Sequence, residues 1–331
     1  MSQRAKCAVV TGGNRGLGLE IAQRLVHEGF QVAVVCRRLK DAEDTAAAIG
    51  SCCCFPFQLD FTAGGAAVTT AASQIMNWAG DSKLMLLVNN AGISLRSWDK
   101  EAWENSRLVN YMGPISFTEA LLPCLSAGAT VTMVGSGLGE IQLLSPEFQG
   151  LLSKATRIVE LDRIVNRPIH LLNSNRSWVG PYGLSKALLH RATEILAAEE
   201  PFKLKGILVN AVCPGWVCTD MGGEQAPISV EEGAGHILEK ALRADPGISG
   251  TFVCYCYKNY DDEHTKAWEE KHGRWKAAAW WDSDSNRPQS VENTASAAGQ
   301  HGKRSRVHDR NARVSNRGAY SESAAVRKVG L

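Results

Sequence analysis

The stretch that decides the fold is residues 11–18, which read TGGNRGLG and lead from a short apolar run into a segment with helical spacing, residues 17–28. Gly12 permits a sharp exit from a strand, because glycine adopts backbone conformations that other residues avoid. Gly16 lets the backbone approach a pyrophosphate at the positive amino end of the following helix. Gly18 lets that helix pack closely on the sheet. The spacing G-x-x-x-G-x-G therefore predicts a dinucleotide-binding turn, although it differs from the G-x-G-x-x-G arrangement of long-turn dinucleotide folds.

Outward from this turn, strand-like and helical patterns alternate. The candidate strands are residues 7–11, 31–35, 53–58, 84–89, 130–134, 206–212 and 251–256, and the candidate helices are residues 17–28, 40–49, 65–78, 102–125, 182–198 and 229–242. Several strands are apolar almost throughout, which is typical of strands buried on both faces. The alternation predicts a Rossmann-type, doubly wound α/β fold with a seven-stranded parallel sheet and helices on both faces. Ligands of such sheets bind beyond the carboxyl ends of the strands.

Composition separates a folded body from a charged tail. The 331 residues carry a net charge of +2, and 44% of them are hydrophobic. These values fit a globular protein, and the sequence has no stretch of about 18 uncharged apolar residues that would span a membrane. Residues 287–331 hold nine Lys or Arg and three Asp or Glu, so we expect a basic disordered tail. We interpret this tail as a solvated appendage without a partner; binding to nucleic acid or to an anionic membrane is the alternative.

The ten cysteines follow no recognisable metal or disulfide pattern. Cys52, Cys53 and Cys54 stand in a row, and Cys254 and Cys256 alternate within an apolar run. Neither pattern has the paired C-x-x-C arms of a structural zinc site. No secretory signal precedes the first strand. We therefore predict reduced cysteines that act as small hydrophobic residues in a cytoplasmic protein, and no metal site.

Basic residues near the second strand indicate which dinucleotide binds. An acid about 20 residues after the turn would bind the free ribose 2′-hydroxyl of NAD. Here the second strand is followed by Arg37 and Arg38, and the first acid is Asp41. Arg15 and Arg37 together would suit a 2′-phosphate, since a guanidinium pairs well with phosphate. We predict NADP(H); the alternative is that both arginines are ordinary surface charges.

A tyrosine and a lysine four residues apart form the candidate catalytic pair. Tyr182 and Lys186 lie in a helical pattern, so they project from the same face of the helix. A free tyrosine has a pKa near 10, and a nearby ammonium lowers that pKa by favouring the phenolate. The pair therefore suits proton transfer to or from a carbonyl or alcohol oxygen. Taken alone, this spacing is common by chance.

Further motifs in the same order give the chain a resemblance to the short-chain dehydrogenase/reductase family. The resemblance covers roughly residues 5–257 and rests on residues 11–18, Asn89-Asn90-Ala91-Gly92, Asn110, Ser136, Tyr182 with Lys186, and Pro214-Gly215. It implies hydride transfer between a nicotinamide and a carbonyl or alcohol. One departure is Gly135, which stands where relatives often have a second serine before the catalytic one.

The resemblance also implies a role for each site residue. Tyr182 is the general acid in reduction, Lys186 binds the nicotinamide ribose, and Ser136 hydrogen-bonds the substrate oxygen. Asn110 would hold a water in a proton relay behind Lys186; without the other three residues it would read as a surface amide. The cofactor-binding set implied by the turn, the arginines and the resemblance is Gly12, Asn14, Arg15, Gly16, Leu17, Gly18, Arg37, Asp60, Asn90, Tyr182, Lys186, Pro214, Gly215, Val217 and Thr219. For Asp60 the alternative is a cap on the segment that begins at Thr62.

The sequence around Pro214-Gly215-Trp216-Val217 looks like the carbonyl reductase branch of the family, and so does the first turn. Ser136 and Tyr182 are far apart in sequence, and Ser145-Pro146-Glu147 between them is a helix-start signal. We therefore predict an inserted helical segment at about residues 140–178, beside the active site. In carbonyl reductases such an insert covers the surface that relatives use for tetramer assembly, so we expect a monomer. The alternative is an insert that only caps the core.

Together these patterns predict a reductase domain over residues 1–257, an extension over residues 258–286 and the tail over residues 287–331. The expected activity is NADPH-dependent reduction of a small-molecule ketone, aldehyde or quinone. Trp216 and the insert suggest an apolar substrate pocket, in which Ser136 and Tyr182 hold the substrate oxygen. The alternatives are an alcohol or steroid dehydrogenase that works mainly in oxidation, and a non-catalytic NADP(H)-binding scaffold whose tail carries the function.

Overall fold

A seven-stranded sheet forms the centre of the chain. The computed structural model describes residues 5–80, 82–95, 97–167, 172 and 180–256. The strands are β1 (Lys6–Thr11), β2 (Gln31–Cys36), β3 (Cys54–Gln58), β4 (Lys83–Asn89), β5 (Leu125–Val134), β6 (Leu208–Cys213) and β7 (Phe252–Cys254). All neighbouring pairs are parallel, in the order β3-β2-β1-β4-β5-β6-β7. The predicted doubly wound α/β fold is confirmed.

Helices cover both faces of this sheet. They are α1 (Gly16–His27), α2 (Leu39–Ile49), α3 (Gly65–Ala79), α4 (Lys100–Arg107), α5 (Gly113–Leu121), α6 (Pro146–Lys154), α7 (Ile158–Val165), α8 (Gly180–Ala198), α9 (Glu200–Leu204) and α10 (Val230–Leu242). Side chains alternate along each strand, so β1 sends Cys7 and Val9 to one core and Ala8 and Val10 to the other. None of the described helices combines the length and the apolar character that a bilayer-spanning helix needs.

One predicted helix is divided in the structure. The sequence pattern favoured a single helix over residues 102–125, but α4 and α5 are separated by a π-helical turn, Leu108–Met112. Pro114 explains the break, because its ring nitrogen has no proton to donate to the preceding turn and proline fits the first turn of a new helix. Pro123 follows α5, and β5 begins earlier than predicted, at Leu125. This π turn places Asn110 in the molecule's interior.

The predicted insert contains two described helices. Ser145 caps α6 by accepting a hydrogen bond from the Phe148 N–H, with Pro146 in the first turn, which confirms the helix-start signal. The predicted helical segment is divided: α6 ends at Lys154, and α7 carries the exposed Val159. Residues 168–171 and 173–179 lie outside the described residues, as do the predicted extension and tail.

Candidate active site

The turn after β1 leaves room for a phosphate-bearing group. Gly12 and Gly16 have φ angles of 64° and 50°, in the left-handed region that favours glycine. A side chain at Gly18 would begin only 2.1 Å from the Gly12 carbonyl oxygen, so the helix packs against the turn as predicted. No described side chain caps the amino end of α1, and its N–H groups therefore stay available to an anion. Asn14 and Leu17 lie in this turn and in the first turn of α1.

The end of β4 braces this turn. The Asn90 side-chain amide donates hydrogen bonds to the carbonyl oxygens of Thr11 (3.0 Å) and Gly12 (3.1 Å). The Thr11 hydroxyl in turn accepts hydrogen bonds from the backbone N–H groups of Asn90 and Ala91. The structure thus gives Asn90 a bracing role and leaves the direct cofactor contact as a prediction.

The predicted 2′-phosphate arginines lie on the same side of the molecule. The positive charges of Arg15 and Arg37 both help to lower the pKa of Asp41, after the larger effect of its hydrogen bonds from Arg38. Arg38 donates two hydrogen bonds of 2.9 and 2.6 Å to Asp41, which compensates the charge of the first acid after β2. Arg15 also forms an exposed ion pair with Asp220, at 2.5 Å, which the sequence did not indicate.

Asp60 is a capping residue in the structure. Its carboxylate accepts hydrogen bonds from the Thr62 N–H (2.9 Å) and the Thr62 hydroxyl (2.6 Å), at the start of the short helix Phe61–Ala63. The structure therefore supports the capping alternative. A contact between Asp60 and the adenine stays a prediction.

Tyr182 and Ser136 meet at the carboxyl end of β5. Burial raises the pKa of Tyr182 to about 12, although a hydrogen bond with Ser136 acts in the opposite direction. The net shift is opposite in direction to the one expected from the Lys186 ammonium, whose nitrogen lies 5.9 Å from the ring centre, because desolvation by burial is the largest cause. The phenol is therefore protonated at neutral pH, as a general acid must be.

Lys186 lies one turn after Tyr182 on α8 and is buried. Its ammonium donates a hydrogen bond of 2.7 Å to the Val134 carbonyl oxygen at the end of β5. Burial lowers the pKa of Lys186 to about 8, and the neighbouring Cys213 raises it slightly against this trend. The side chain is thus fixed between the sheet and the helix, with its charge sensitive to pH near neutrality.

Asn110 is fully buried and turns its amide toward the same region. Its Nδ2 donates to the Ile93 carbonyl oxygen (2.9 Å) and to the Ser185 hydroxyl (3.0 Å), while its Oδ1 accepts from the Ile93 N–H (2.9 Å). The surface alternative for Asn110 is therefore wrong. A side chain at Gly92 would begin 3.3 Å from Asn110 Oδ1 and 3.5 Å from Lys186 Nζ. Both polar groups therefore border one gap that the glycine leaves open.

His190 supports the backbone of Ser136, and it is not among the site residues predicted from the sequence. Its Nε2 accepts a hydrogen bond from the Ser136 N–H (3.3 Å), and its Nδ1 donates to the Gly139 carbonyl oxygen at 3.2 Å. Burial and the nearby Lys186 charge lower the pKa of His190 to about 3. A side chain at Gly135 would begin 2.4 Å from His190 Nε2, which explains why a glycine replaces the serine expected there. In the sequence, the one signal for His190 is its position four residues after Lys186, which places both side chains on the same face of the helix.

The segment after β6 reaches back to the first turn. Gly215 has a φ of 94°, and a bridge joins Val217 to Ile228 and holds the segment in place. A side chain at Gly16 would lie 3.3 Å from the Thr219 methyl group, so Thr219 borders the glycine turn. The other members of this segment are Pro214, whose carbonyl oxygen accepts a hydrogen bond from His236, and Trp216, which is 45% exposed. The geometry matches a segment that closes one side of a cofactor cleft.

Comparisons with known proteins agree with this architecture. A family model described as short chain dehydrogenase matches residues 6–145. (+)-Neomenthol dehydrogenase from Arabidopsis thaliana is 34% identical over 278 residues, covering 71% of this chain and 90% of the relative. Carbonyl reductase [NADPH] 3 from Rattus norvegicus is 30% identical, covering 71% of this chain and 90% of the relative. The structure of salutaridine reductase from Papaver somniferum aligns with a TM-score of 0.66 at 30% identity, over 75% of this chain and 99% of that one.

The two relatives each cover 71% of this chain, and the family model spans β1 to β5 with the glycine turn, Asn110 and Ser136. The chain belongs to the short-chain dehydrogenase/reductase family, on its carbonyl-reductase-like branch. It is an oxidoreductase, and proteins of this family use a nicotinamide cofactor.

Proposed function

We propose that this chain reduces the carbonyl group of a ketone, aldehyde or quinone to an alcohol with NADPH, and that Tyr182 is the general acid. The observation that carries this proposal is the meeting of Ser136, Tyr182 and Lys186 at the carboxyl end of β5, with a phenol that stays protonated at neutral pH. The open glycine turn after β1 lies at the same edge of the sheet, where a dinucleotide fits.

The side chains polarise the substrate and supply the proton. The Ser136 hydroxyl and the Tyr182 phenol hydrogen-bond the carbonyl oxygen and stabilise the negative charge that develops on it. Tyr182 then transfers its proton to that oxygen, which completes the alcohol. When bound, the reduced nicotinamide supplies the hydride to the carbonyl carbon. His190 acts as a positioning residue, since its hydrogen bond fixes the backbone of Ser136.

Lys186 and Asn110 return a proton to Tyr182. The Lys186 ammonium and Asn110 Oδ1 border the gap at Gly92, and a water there would accept from one group and donate to the other. Lys186 also binds the nicotinamide ribose in this proposal. Its pKa of about 8 keeps most of the charge at neutral pH and lets the group give up a proton readily.

Arg15 and Arg37 select NADPH over NADH. Their shared influence on Asp41 supports a common site for the 2′-phosphate, and Arg38 already compensates the Asp41 carboxylate. The pyrophosphate lies on the turn formed by residues 11–18, and Asp60 and Asn90 line the adenosine side. Pro214, Gly215, Val217 and Thr219 cover the nicotinamide. The name of the Rattus norvegicus relative, a carbonyl reductase that uses NADPH, supports the same choice.

The substrate side is formed by Trp216 and the insert. Trp216 is partly exposed beyond β6, and its ring N–H donates to the Gly222 carbonyl oxygen at 2.8 Å, which leaves the face of the indole to an apolar substrate. We also propose a cytoplasmic monomer. The insert supports the monomer, because Leu152 and Leu161 on α6 and α7 join the core cluster that contains the α8 residues. Light scattering of the purified chain tests the oligomeric state.

A carbonyl panel tests the activity. Quinones, aromatic aldehydes and ketones are mixed with the full-length protein and NADPH, and the loss of NADPH absorbance is followed. We expect turnover with at least one class and much weaker turnover with NADH. A protein that binds NADPH but reduces none of the panel would favour the scaffold alternative.

Exchanging one arginine tests the cofactor choice separately. Arg37→Asp replaces a phosphate partner with an acid that suits a free ribose hydroxyl, so the ratio of NADPH to NADH affinity should fall by at least tenfold. Lys40→Asp, close by on α2 where Lys40 forms an ion pair with Asp44, is the control for loss of local charge. Equal affinity ratios for Arg37→Asp and the unmodified protein would contradict the assignment.

The reverse direction is the second candidate. The Arabidopsis thaliana relative is named as a dehydrogenase, and the Tyr182 proton transfer runs equally well from alcohol to ketone when the phenolate is present. The raised Tyr182 pKa favours reduction near neutral pH. Measuring both directions on one ketone–alcohol pair across the pH range decides between them: reduction should dominate at neutral pH, and oxidation should gain only in alkali.

A further inference from the structure

Three cysteines at the carboxyl ends of two neighbouring strands converge beside Tyr182 and Lys186. Cys213 ends β6 and is the register partner of Cys254 on β7. Cys256 lies two residues beyond the end of β7, and its sulfur reaches the same place. The three sulfur atoms lie within 4.8 Å of one another, and Cys213 and Cys256 are 3.2 Å apart at their sulfurs. All three thiols are free.

This cluster has the dimensions of a thiolate metal site. A zinc ion holds each cysteine sulfur at about 2.3 Å in a tetrahedral arrangement, which places neighbouring sulfurs about 3.8 Å apart. The Cys213–Cys256 sulfur separation of 3.2 Å is below this value and none of the three separations exceeds 4.8 Å, so small side-chain rotations are enough to surround an ion. Soft thiolate donors select soft or borderline cations over calcium or magnesium.

The surroundings of the cluster complement a bound ion. Backbone N–H groups of Gly137 and Gly215 hydrogen-bond the Cys213 sulfur, as the outer partners of metal ligands do. A side chain at Gly137 would begin 3.0 Å from the Cys256 sulfur and 3.3 Å from the Cys254 sulfur, so the glycine keeps the space above the thiols open. Three thiolates around a divalent ion carry one net negative charge, and the buried Lys186 ammonium lies close enough to Cys213 to offset it.

We propose that Cys213, Cys254 and Cys256 form a binding site for a soft divalent cation of the zinc class, and that an ion held there inhibits the reductase. Binding forms three metal–sulfur bonds and releases the thiol protons to solvent, with no change in oxidation state. The fourth coordination position stays open to water or to the Tyr182 oxygen. Cys213 and Cys256 are close enough to Tyr182 for their charge to affect it, so the ion would compete with the substrate oxygen and disturb the proton donor.

The sequence analysis predicted no metal site, because it compared only neighbouring cysteines. Cys213 lies far from the other two along the chain, and only the β6–β7 register brings it to them. The consecutive cysteines Cys52, Cys53 and Cys54 can be compared with this cluster. There only the first two sulfurs make a contact, at 3.4 Å, and Cys52 is exposed while Cys54 is buried. Neighbouring cysteines therefore do not by themselves form a site.

Cobalt titration of the reduced full-length protein tests binding without cofactor or substrate. Co²⁺ reports thiolate ligation through a near-ultraviolet charge-transfer band and reports tetrahedral geometry through its visible bands. We expect one equivalent of cobalt to produce both, to release protons to a pH indicator, and to be displaced by Zn²⁺. Cys254→Ser should lower the charge-transfer intensity by about one third and weaken binding at least tenfold. Cys52→Ser with Cys53→Ser, and separately Cys218→Ser, should leave the spectrum unchanged.

Several outcomes would overturn the site. One is a cobalt spectrum without a charge-transfer band, and another is a band that survives in Cys254→Ser but disappears in the Cys52/Cys53 variant. A Cys213–Cys256 disulfide in protein purified without oxidant would also contradict it. The charge-transfer band and the proton release are measured on the unmodified protein, so the test does not depend on how a variant folds.

The inhibitory effect rests on the proposed reductase activity and is tested separately. Zn²⁺ at the affinity found by titration should reduce NADPH turnover at least tenfold, with recovery on adding a chelator. Cys254→Ser should keep its turnover and resist the metal. Stoichiometric metal binding without inhibition would contradict the inhibitory effect and support the metal site. A protein that shows no turnover under any condition would count against the proposed reductase function and would not bear on the metal site.

Discussion

The glycine turn after β1 and the support of Ser136, formed by Gly135, Gly139 and His190, are built from different kinds of interaction. The turn of residues 11–18 is shaped by neighbours in sequence and by absent side chains, with Gly18 directly against the Gly12 carbonyl. The support of Ser136 depends on His190, which lies far along the chain and forms hydrogen bonds with the backbone of both Ser136 and Gly139. A local pattern reveals the first region, whereas only folding assembles the second. Both regions need a glycine because a side chain would clash, in the first with the Gly12 carbonyl oxygen and in the second with the His190 ring.

The largest effect is expected from a substitution that disrupts the glycine turn of residues 11–18. Gly18→Ala places a carbon 2.1 Å from the Gly12 carbonyl oxygen, which the backbone cannot avoid without moving. The free energy of unfolding should fall by about 3 kcal/mol, the upper end of overpacking costs, and NADPH affinity should fall with it. Urea unfolding and a fluorescence titration measure the two. Gly65→Ala, at a position with open space on α3, is the control, and equal stabilities of the two variants would refute the packing role of Gly18.

The second-largest effect is expected at Gly135, in the support of Ser136. Gly135→Ala directs a carbon toward His190 Nε2 at 2.4 Å and toward Phe252 at 2.8 Å, and the free energy of unfolding should fall by about 2 kcal/mol. In a His190→Ala background the same substitution should cost less than half as much, because the main obstacle is gone. A double-mutant cycle by urea unfolding measures this coupling. Identical costs in both backgrounds would show that His190 does not dictate the glycine.

The buried histidine also predicts sensitivity to acid. The pKa of His190 is about 3 in the folded protein, whereas an ordinary histidine has a pKa near 6.5. Between these values the unfolded chain binds the extra proton, so stability falls as the pH falls below about 6.5. From about pH 7 to about pH 5, His190→Gln should lose roughly 2 kcal/mol less stability than the unmodified protein, measured by urea unfolding. Parallel losses in the two proteins would contradict the burial of a neutral imidazole.

The smallest of these effects concerns the gap at Gly92. Gly92→Ala places a methyl group 3.5 Å from Lys186 Nζ and 3.3 Å from Asn110 Oδ1. The second contact is tight, but a shift of the amide by a few tenths of an ångström relieves it, so folding should persist. If a water there relays the proton, kcat should fall by about tenfold, which is about 1.4 kcal/mol, while the NADPH affinity stays within twofold. Steady-state kinetics and a binding titration separate the two. An unchanged kcat would remove the relay from the proposal.

Sequence patterns anticipated the parts that depend on neighbouring residues. The seven strands, the turn and the cap at Ser145 follow from periodicity and local hydrogen bonding, and all three agree with the structure. The family resemblance predicted that Ser136, Tyr182 and Lys186 form one site. The π turn around Asn110 could not be predicted, because one extra residue per turn leaves the apolar spacing almost unchanged.

The remaining features depend on strand register and burial. The partnership of Cys213 with Cys254 requires the β6–β7 pairing, and two thiols far apart in sequence carry no sign of it. The direction of the Tyr182 pKa also required the fold: spacing revealed the nearby lysine, but only the structure gave its distance and the extent of desolvation.

The central claim is that Tyr182 supplies the proton during carbonyl reduction. The most direct measurement compares NADPH oxidation by the unmodified protein and by Tyr182→Phe, with a carbonyl substrate found in the panel and with NADPH binding measured on both. The account predicts a loss of turnover of about 10²–10⁴-fold with NADPH affinity preserved within a few-fold. Turnover by Tyr182→Phe close to that of the unmodified protein would contradict it.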